Sequence, residues 1–157
     1  KRLDCPTIDE IRRAIGARVL LGHDYLGNIV ENSLVGAMQT PNFLKEVQGN
    51  SLIIVPGDRS DILMAAALAN QSPHYPNIAG ILLSAGILPE KSVIRLFEGS
   101  FINMPVMSVQ DNTFDAAITV SHEHRKDRVH DTFVPRCHRH RGPGKENHNV
   151  QDVRHDS

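Results

Sequence analysis

Apolar residues along this chain come in short unbroken runs separated by stretches with helical spacing. Leu52–Val55, Ile78–Leu83 and Pro105–Val109 are the clearest runs. They are rich in branched residues and do not alternate with polar ones, the pattern of strands buried on both faces. Between them lie stretches with a helical apolar face. Ile62, Leu63, Ala66 and Ala67 predict a helix over 60–71, and Val93, Ile94, Leu96 and Phe97 predict one opened by Pro89 and closed by Gly99. Phe114, Ala117 and Ile118 predict a last helix from 112 or 113 to about Val120. Strand and helix alternating in this way, with central strands that have no polar side, predict an α/β fold. Its sheet is mostly parallel and covered by helices on both faces.

The first fifty residues extend the pattern. Thr7-Ile8-Asp9-Glu10 has capping-box spacing, with Ile8, Ile11 and Ile15 as the stripe and Gly16 as the stop. Ala17–Leu21 and about Ser33–Met38 read as strands, with a loop over 23–28 between them. Thr40-Pro41 opens a helix carrying Phe43, Leu44 and Val47 and ending at Gly49, with proline in the first turn where its missing N–H is not needed.

In a parallel sheet the loops leaving the carboxyl ends of the strands gather on one edge, and ligands bind there. Four loops qualify: Gln39-Thr40, Pro56–Ser60, Ser84–Gly86 and Gln110–Thr113. The second is the most informative. Gly57, Asp58, Arg59 and Ser60 stand where a buried strand turns into a helix. Free backbone N–H groups and the helix dipole favour an anion there, and Arg59 adds a charged fork. The competing reading is structural: Asp58 or Ser60 caps the helix, and Arg59 pairs with Asp61 or Asp58. Ser84, Ala85 and Gly86 form the partner turn, small enough for close approach of a loop or ligand. Asp111 is a further candidate, with Asp111 and Thr113 also expected to cap the last helix. The turn after Val55 lacks the Gly-Lys-Ser/Thr ending of a nucleotide P-loop, so ATP hydrolysis and a bound cofactor are not expected. Cys5 precedes a helix start, a setting that can lower a thiol pKa, but no histidine pattern marks it as a nucleophile.

Composition splits the chain in two. With 157 residues and 40% hydrophobic content there is room for one domain with a full core. From Ser121 to Ser157, however, there is no Leu, Ile, Met or Ala, and seven of the nine histidines lie in that part. The expected organisation is a domain over 1–120 and a disordered polar tail over 121–157. The abruptness of the change also fits a shift of reading frame. Cys137-His138-Arg139-His140 clusters ligand types, but scattered histidines with little apolar shell do not make a zinc site. A net charge of -1 argues against nucleic-acid binding, and no apolar run is long enough for a membrane helix. Two cysteines do not make a disulfide framework, so a cytoplasmic location is expected. The chain opens with Lys1, directly before a helix, which suggests a fragment.

The combination Gly57-Asp58-Arg59-Ser60-Asp61-Ile62, Gly80–Gly86, Pro105-Val106 and Asp111-Asn112-Thr113-Phe114 resembles the DRTGG domain. Asp58 and Arg59 match its Asp-Arg pair. Ser84-Ala85-Gly86 stands for its Thr-Gly-Gly, keeping a hydroxyl and the last glycine and replacing the middle glycine with alanine. The resemblance covers about 7–120. Such domains sit between a dethiobiotin-synthetase-like ATPase region and the acetyltransferase region of long phosphotransacetylases, and beside CBS domains. The resemblance implies a fold similar to the N-terminal domain of HPr kinase. It also implies a non-catalytic regulatory or ligand-sensing domain that binds an anionic metabolite or nucleotide, attached to ATPase-like or acetyltransferase domains and homo-oligomeric. The alternatives are a structural or oligomerising spacer and, more remotely, part of an acetyltransferase acting on acetyl-CoA and phosphate.

Overall fold

The computed structural model describes residues 5–129, and side chains among them as far as His124. Five strands form a single sheet in the order β1-β5-β4-β3-β2. They are β1 (Arg18–Leu21), β2 (Asn32–Val35), β3 (Ser51–Pro56), β4 (Ile78–Ser84) and β5 (Val106–Ser108). The pairs β2–β3, β3–β4 and β4–β5 are parallel, and β1 runs antiparallel along β5. The fold is therefore α/β with a mostly parallel sheet, as the apolar runs predict.

Five helices cover it: α1 (Ile8–Ile15), α2 (Thr40–Glu46), α3 (Ser60–Gln71), α4 (Lys91–Glu98) and α5 (Thr113–Val129). Residues of β3 and β4 alternate between two cores, which is why those runs have no polar side. Ile53, Val55, Ile81 and Leu83 pack with Phe43, Ile62, Leu63, Val93 and Phe97 from α2, α3 and α4. Leu52, Ile54 and Leu82 pack with Ile8, Ile11, Ala116 and Val120 from α1 and α5. Each fully buried branched side chain contributes about 1.5–3 kcal/mol, so both helix layers are needed to stabilise the sheet between them. Ile8 and Ile11 anchor α1, whose Thr7 capping box is formed and whose C-cap, Gly16, is left-handed.

Several boundaries differ from the sequence expectation; α2 stops at Glu46, with Val47 already extended, instead of running to Gly49. Gly36–Met38 lies outside β2, because the Gly36 N–H still bonds the Ile54 carbonyl at 2.9 Å but the chain then leaves the sheet for α2. More consequentially, α5 continues past Ser121 to Val129, so the change of composition does not coincide with the end of the helix. The rest of the expected tail, residues 130–157, with the Cys137–His140 cluster, lies outside the described residues.

The reversed direction of β1 decides which of its ends reaches the carboxyl edge of the sheet. The chain crosses from β1 to β2 along the amino edge, where Asn28 donates to the carbonyls of Ala79 and Asn103 at 3.0 and 3.2 Å. The start of β1 is left at the opposite, carboxyl edge: Arg18 pairs with Ser108, the last residue of β5.

Candidate functional site at the carboxyl edge

The strand–turn–helix around Gly57 forms as expected, but its polar residues are arranged differently. Neither Asp58 nor Ser60 caps α3. Arg59 occupies the N-cap position, and no side chain caps the helix there. A backbone turn closes the loop instead, the Arg59 N–H donating to the Pro56 carbonyl at 3.1 Å. The Arg59 side chain is engaged on two sides. Nε and Nη2 donate to the two carboxylate oxygens of Asp61, both at 3.1 Å, and Nη2 and Nη1 reach the carbonyls of Met38 and Gly36 at 3.0 and 3.4 Å. Arg59 thus ties the start of α3 to the loop after β2. The same fork sets the local electrostatics. Its hydrogen bonds hold the Asp61 carboxyl below the usual carboxylate range, opposed by partial desolvation and helped by the Ile62 N–H. Asp61 in turn raises the Arg59 guanidinium pKa. Asp58 is exposed.

The loops after β3 and β4 meet. Gly57 is buried, and a β-carbon there would overlap the Ile87 carbonyl and come within 2.9 Å of the Leu88 carbonyl carbon. Only glycine lets these backbones approach so closely. In the partner turn, Ser84 is fully buried and its hydroxyl shares a 2.6 Å hydrogen bond with that of Thr113. Ala85 and Gly86 are both left-handed, with φ of 60° and 62°. Their N–H groups donate to the carbonyls of Asp111 and Val109 at 2.6 and 2.9 Å, which ties this turn to the loop after β5. Asp111 therefore acts through its backbone, its side chain being exposed. It does not cap α5, and neither does Thr113. Asn112 does, accepting from the Asp115 N–H at 2.9 Å and donating to the Asp115 carboxylate at 2.8 Å. Gly57–Ser60, Ser84–Gly86 and Asp111 are thus brought onto one edge, while much of their hydrogen-bonding capacity is spent on joining the loops.

Sequence reading missed a neighbouring recess of about 230 Å³ lined by Gly16, Arg18, Gly86, Leu88, Ser108 and Gln110. Its polar residues come from β1, the end of β5 and the loop after β5. The signal was the antiparallel pairing of β1, which no local pattern reveals. Among the described residues no cluster of His, Cys, Asp and Glu could hold a metal ion, and no helix is long and apolar enough to cross a membrane.

Comparison with known proteins agrees with this architecture. Residues 10–123 match the family model of the DRTGG domain. The phosphate acetyltransferase of Nitratidesulfovibrio vulgaris is 39% identical over 117 residues, covering 74% of this chain and 17% of that protein. That of Synechocystis sp. is 39% identical over 109 residues, covering 69% of this chain and 16% of that protein. The chain thus spans about a sixth of the length of these relatives. Among solved structures, the CBS and DRTGG domains of the regulatory region of Clostridium perfringens pyrophosphatase, complexed with the activator diadenosine tetraphosphate, superpose with a TM-score of 0.57. Identity is 19%, over 76% of this chain and 47% of that one, so the likeness is one of fold. Matched over most of its length and carrying the Asp58-Arg59 pair on the expected strand–helix turn, this chain belongs to the DRTGG domain family.

Proposed function

We propose that this chain is a non-catalytic regulatory domain of a phosphotransacetylase-like protein. It senses an anionic metabolite or nucleotide at the carboxyl edge, between Gly57, Asp58, Arg59 and Ser60 on one side and Ser84, Ala85, Gly86 and Asp111 on the other. The observation that carries this reading is the convergence of three loops through the Gly57–Ile87 approach and the Ala85–Asp111 hydrogen bond. A ligand touching all three loops would change how they pack, and so the surface they offer to attached domains. The pyrophosphatase neighbour, whose regulatory region takes a nucleotide activator, supports a nucleotide as the first class to test.

The test is thermal unfolding with and without ATP, diadenosine tetraphosphate, NADH, coenzyme A, acetyl phosphate and pyruvate. A ligand selective for the folded state at 100 times its Kd stabilises by about 2.7 kcal/mol. For a chain of this size that raises Tm by roughly 5–10 °C. No shift with any of them contradicts the sensing role.

One observation favours a second reading, an oligomerising spacer. Between α3 and α4 an apolar groove is lined by Met64, Leu68, Leu96 and Ile102, with Leu68 68% and Leu96 55% exposed. α3 carries no charge after Asp61 and is apolar nearly all round, which suits a helix covered on both sides. A second copy of the chain packed there predicts a dimer by light scattering, and monomers for Leu68→Glu.

A further inference from the structure

Resting on the reading of the carboxyl edge as an anion site, we propose that the ligand's phosphate is held by Arg18 with Ser108 and Gln110, and not by Arg59. Arg59 has both edges of its fork committed to Asp61 and to two backbone carbonyls, so a phosphate would have to break an existing bidentate pair. The N–H groups of Ala85 and Gly86 are spent on the Asp111 and Val109 carbonyls. Donors without partners among the described residues lie nearby. Arg18, Ser108 and Gln110 line one recess of about 230 Å³, and none of the three side chains has a hydrogen-bond or ion-pair partner among the described residues. Water occupies about 30 Å³ in the liquid, so the recess holds several waters or one phosphoryl group in their place.

Strand geometry puts these groups together. Arg18 and Ser108 stand directly opposite in the antiparallel β1–β5 pair, so their side chains project from the same face of the sheet. The flanking residues Leu20 and Val106 lie in the core under α3 and α4, which fixes that face as the one carrying the 86–88 loop. Ser108 is the informative member. Among the described residues three serines are buried, and two satisfy their hydroxyls internally, Ser51 on the Gln48 carbonyl at 2.7 Å and Ser84 on Thr113 at 2.6 Å. Ser108, only 7% exposed, has no such partner among the described residues, and its hydroxyl is not a buried unpaired atom but opens onto the recess. On the opposite wall Gly86 leaves space that the Gln110 amide fills, because a β-carbon at Gly86 would lie 3.0 Å from Gln110 Cδ. One guanidinium, one hydroxyl and one amide line a common space, and each can donate to a phosphoryl oxygen. The ligand class is a nucleotide or other phosphate ester.

Calorimetric titration of the full chain with ATP, inorganic tripolyphosphate and adenosine tests this. ATP and tripolyphosphate are expected to bind, and adenosine to bind at least about tenfold more weakly. Arg18→Ala should weaken ATP binding about tenfold or more while leaving the unliganded Tm within about 1–2 °C, since Arg18 is exposed. Ser108→Ala should weaken it severalfold. Arg95→Ala, which removes an exposed cation on α4 away from the recess, should leave ATP affinity within about twofold. ATP binding to Arg18→Ala with wild-type affinity overturns the assignment of Arg18 but leaves a carboxyl-edge ligand standing. Loss of ATP binding in Arg59→Ala with Arg18→Ala unaffected moves the phosphate to Gly57–Ser60. No binding of any probe to the wild type overturns both the assignment and the sensing role.

Discussion

Replacing Arg59 with alanine separates its structural role from a binding role. The change removes two contacts to the Asp61 carboxylate at 3.1 Å and two to the carbonyls of Met38 and Gly36, the latter long at 3.4 Å. The pair is one-third to one-half exposed, so the Asp61 contribution falls in the range of a screened surface pair, about 0.2–1 kcal/mol. A charged donor on a partly buried carbonyl adds about 1–1.5 kcal/mol. The sum is about 1–2.5 kcal/mol, which for a chain of 157 residues lowers Tm by roughly 2–10 °C. Thermal unfolding followed by circular dichroism, without ligand, reads this directly. Arg59→Lys should recover less than half, because an ammonium cannot span the carboxylate and the Met38 carbonyl with one rigid fork. An Arg59→Ala variant that melts with the wild type would refute the view that Arg59 clamps the loop after β2. Its guanidinium would then be available to a ligand.

The same edge offers further tests. Gly57→Ala drives a β-carbon into the Ile87 carbonyl and should cost about 1–3 kcal/mol, seen as a lower denaturant midpoint. Ala85→Gly should do the reverse. Ala85 sits at φ 60°, where a side chain costs about 1–2 kcal/mol, and glycine's extra freedom in the unfolded chain returns about 0.4–1 kcal/mol of that, so a small net rise in Tm is expected. The Asp61 carboxyl is depressed below its ordinary value near 3.8 when folded, so its contribution is present above that pH and is lost as pH falls through the folded pKa. Asp61→Asn should accordingly be less stable than the wild type at pH 6, and the gap should close in urea titrations as pH falls through the folded pKa.

Much of this fold could be read from the sequence because its central strands are unambiguous. Leu52–Val55 and Ile78–Leu83 are apolar throughout since each of their faces meets a helix layer. The Thr7–Glu10 capping box and the Gly16 stop are local signals, and they form as written. Caps at α3 and α5 were misjudged for a physical reason. Arg59 closes its loop through backbone and distant carbonyls, and Asn112 was one of several polar residues able to cap the same end. The continuation of α5 past Ser121 was hidden because composition reports burial, whereas a helix can continue on backbone hydrogen bonding beyond the apolar stretch that closes at Val120. Of the candidate site, Gly57–Ser60 and Ser84–Gly86 were legible as turns, and their meeting depends on one long-range backbone contact at Ile87. Nothing in the sequence marked Arg18 as a residue of this edge. Its position depends on β1 pairing antiparallel with a strand some ninety residues later.

The most direct test of a ligand site at the carboxyl edge is an amide NMR titration of the isotope-labelled chain with ATP. Saturable shifts confined to residues 18, 57–60, 84–88 and 108–111 are the predicted result. Shifts confined to the Met64–Gln71 face of α3, or no saturable shifts at all, would contradict it.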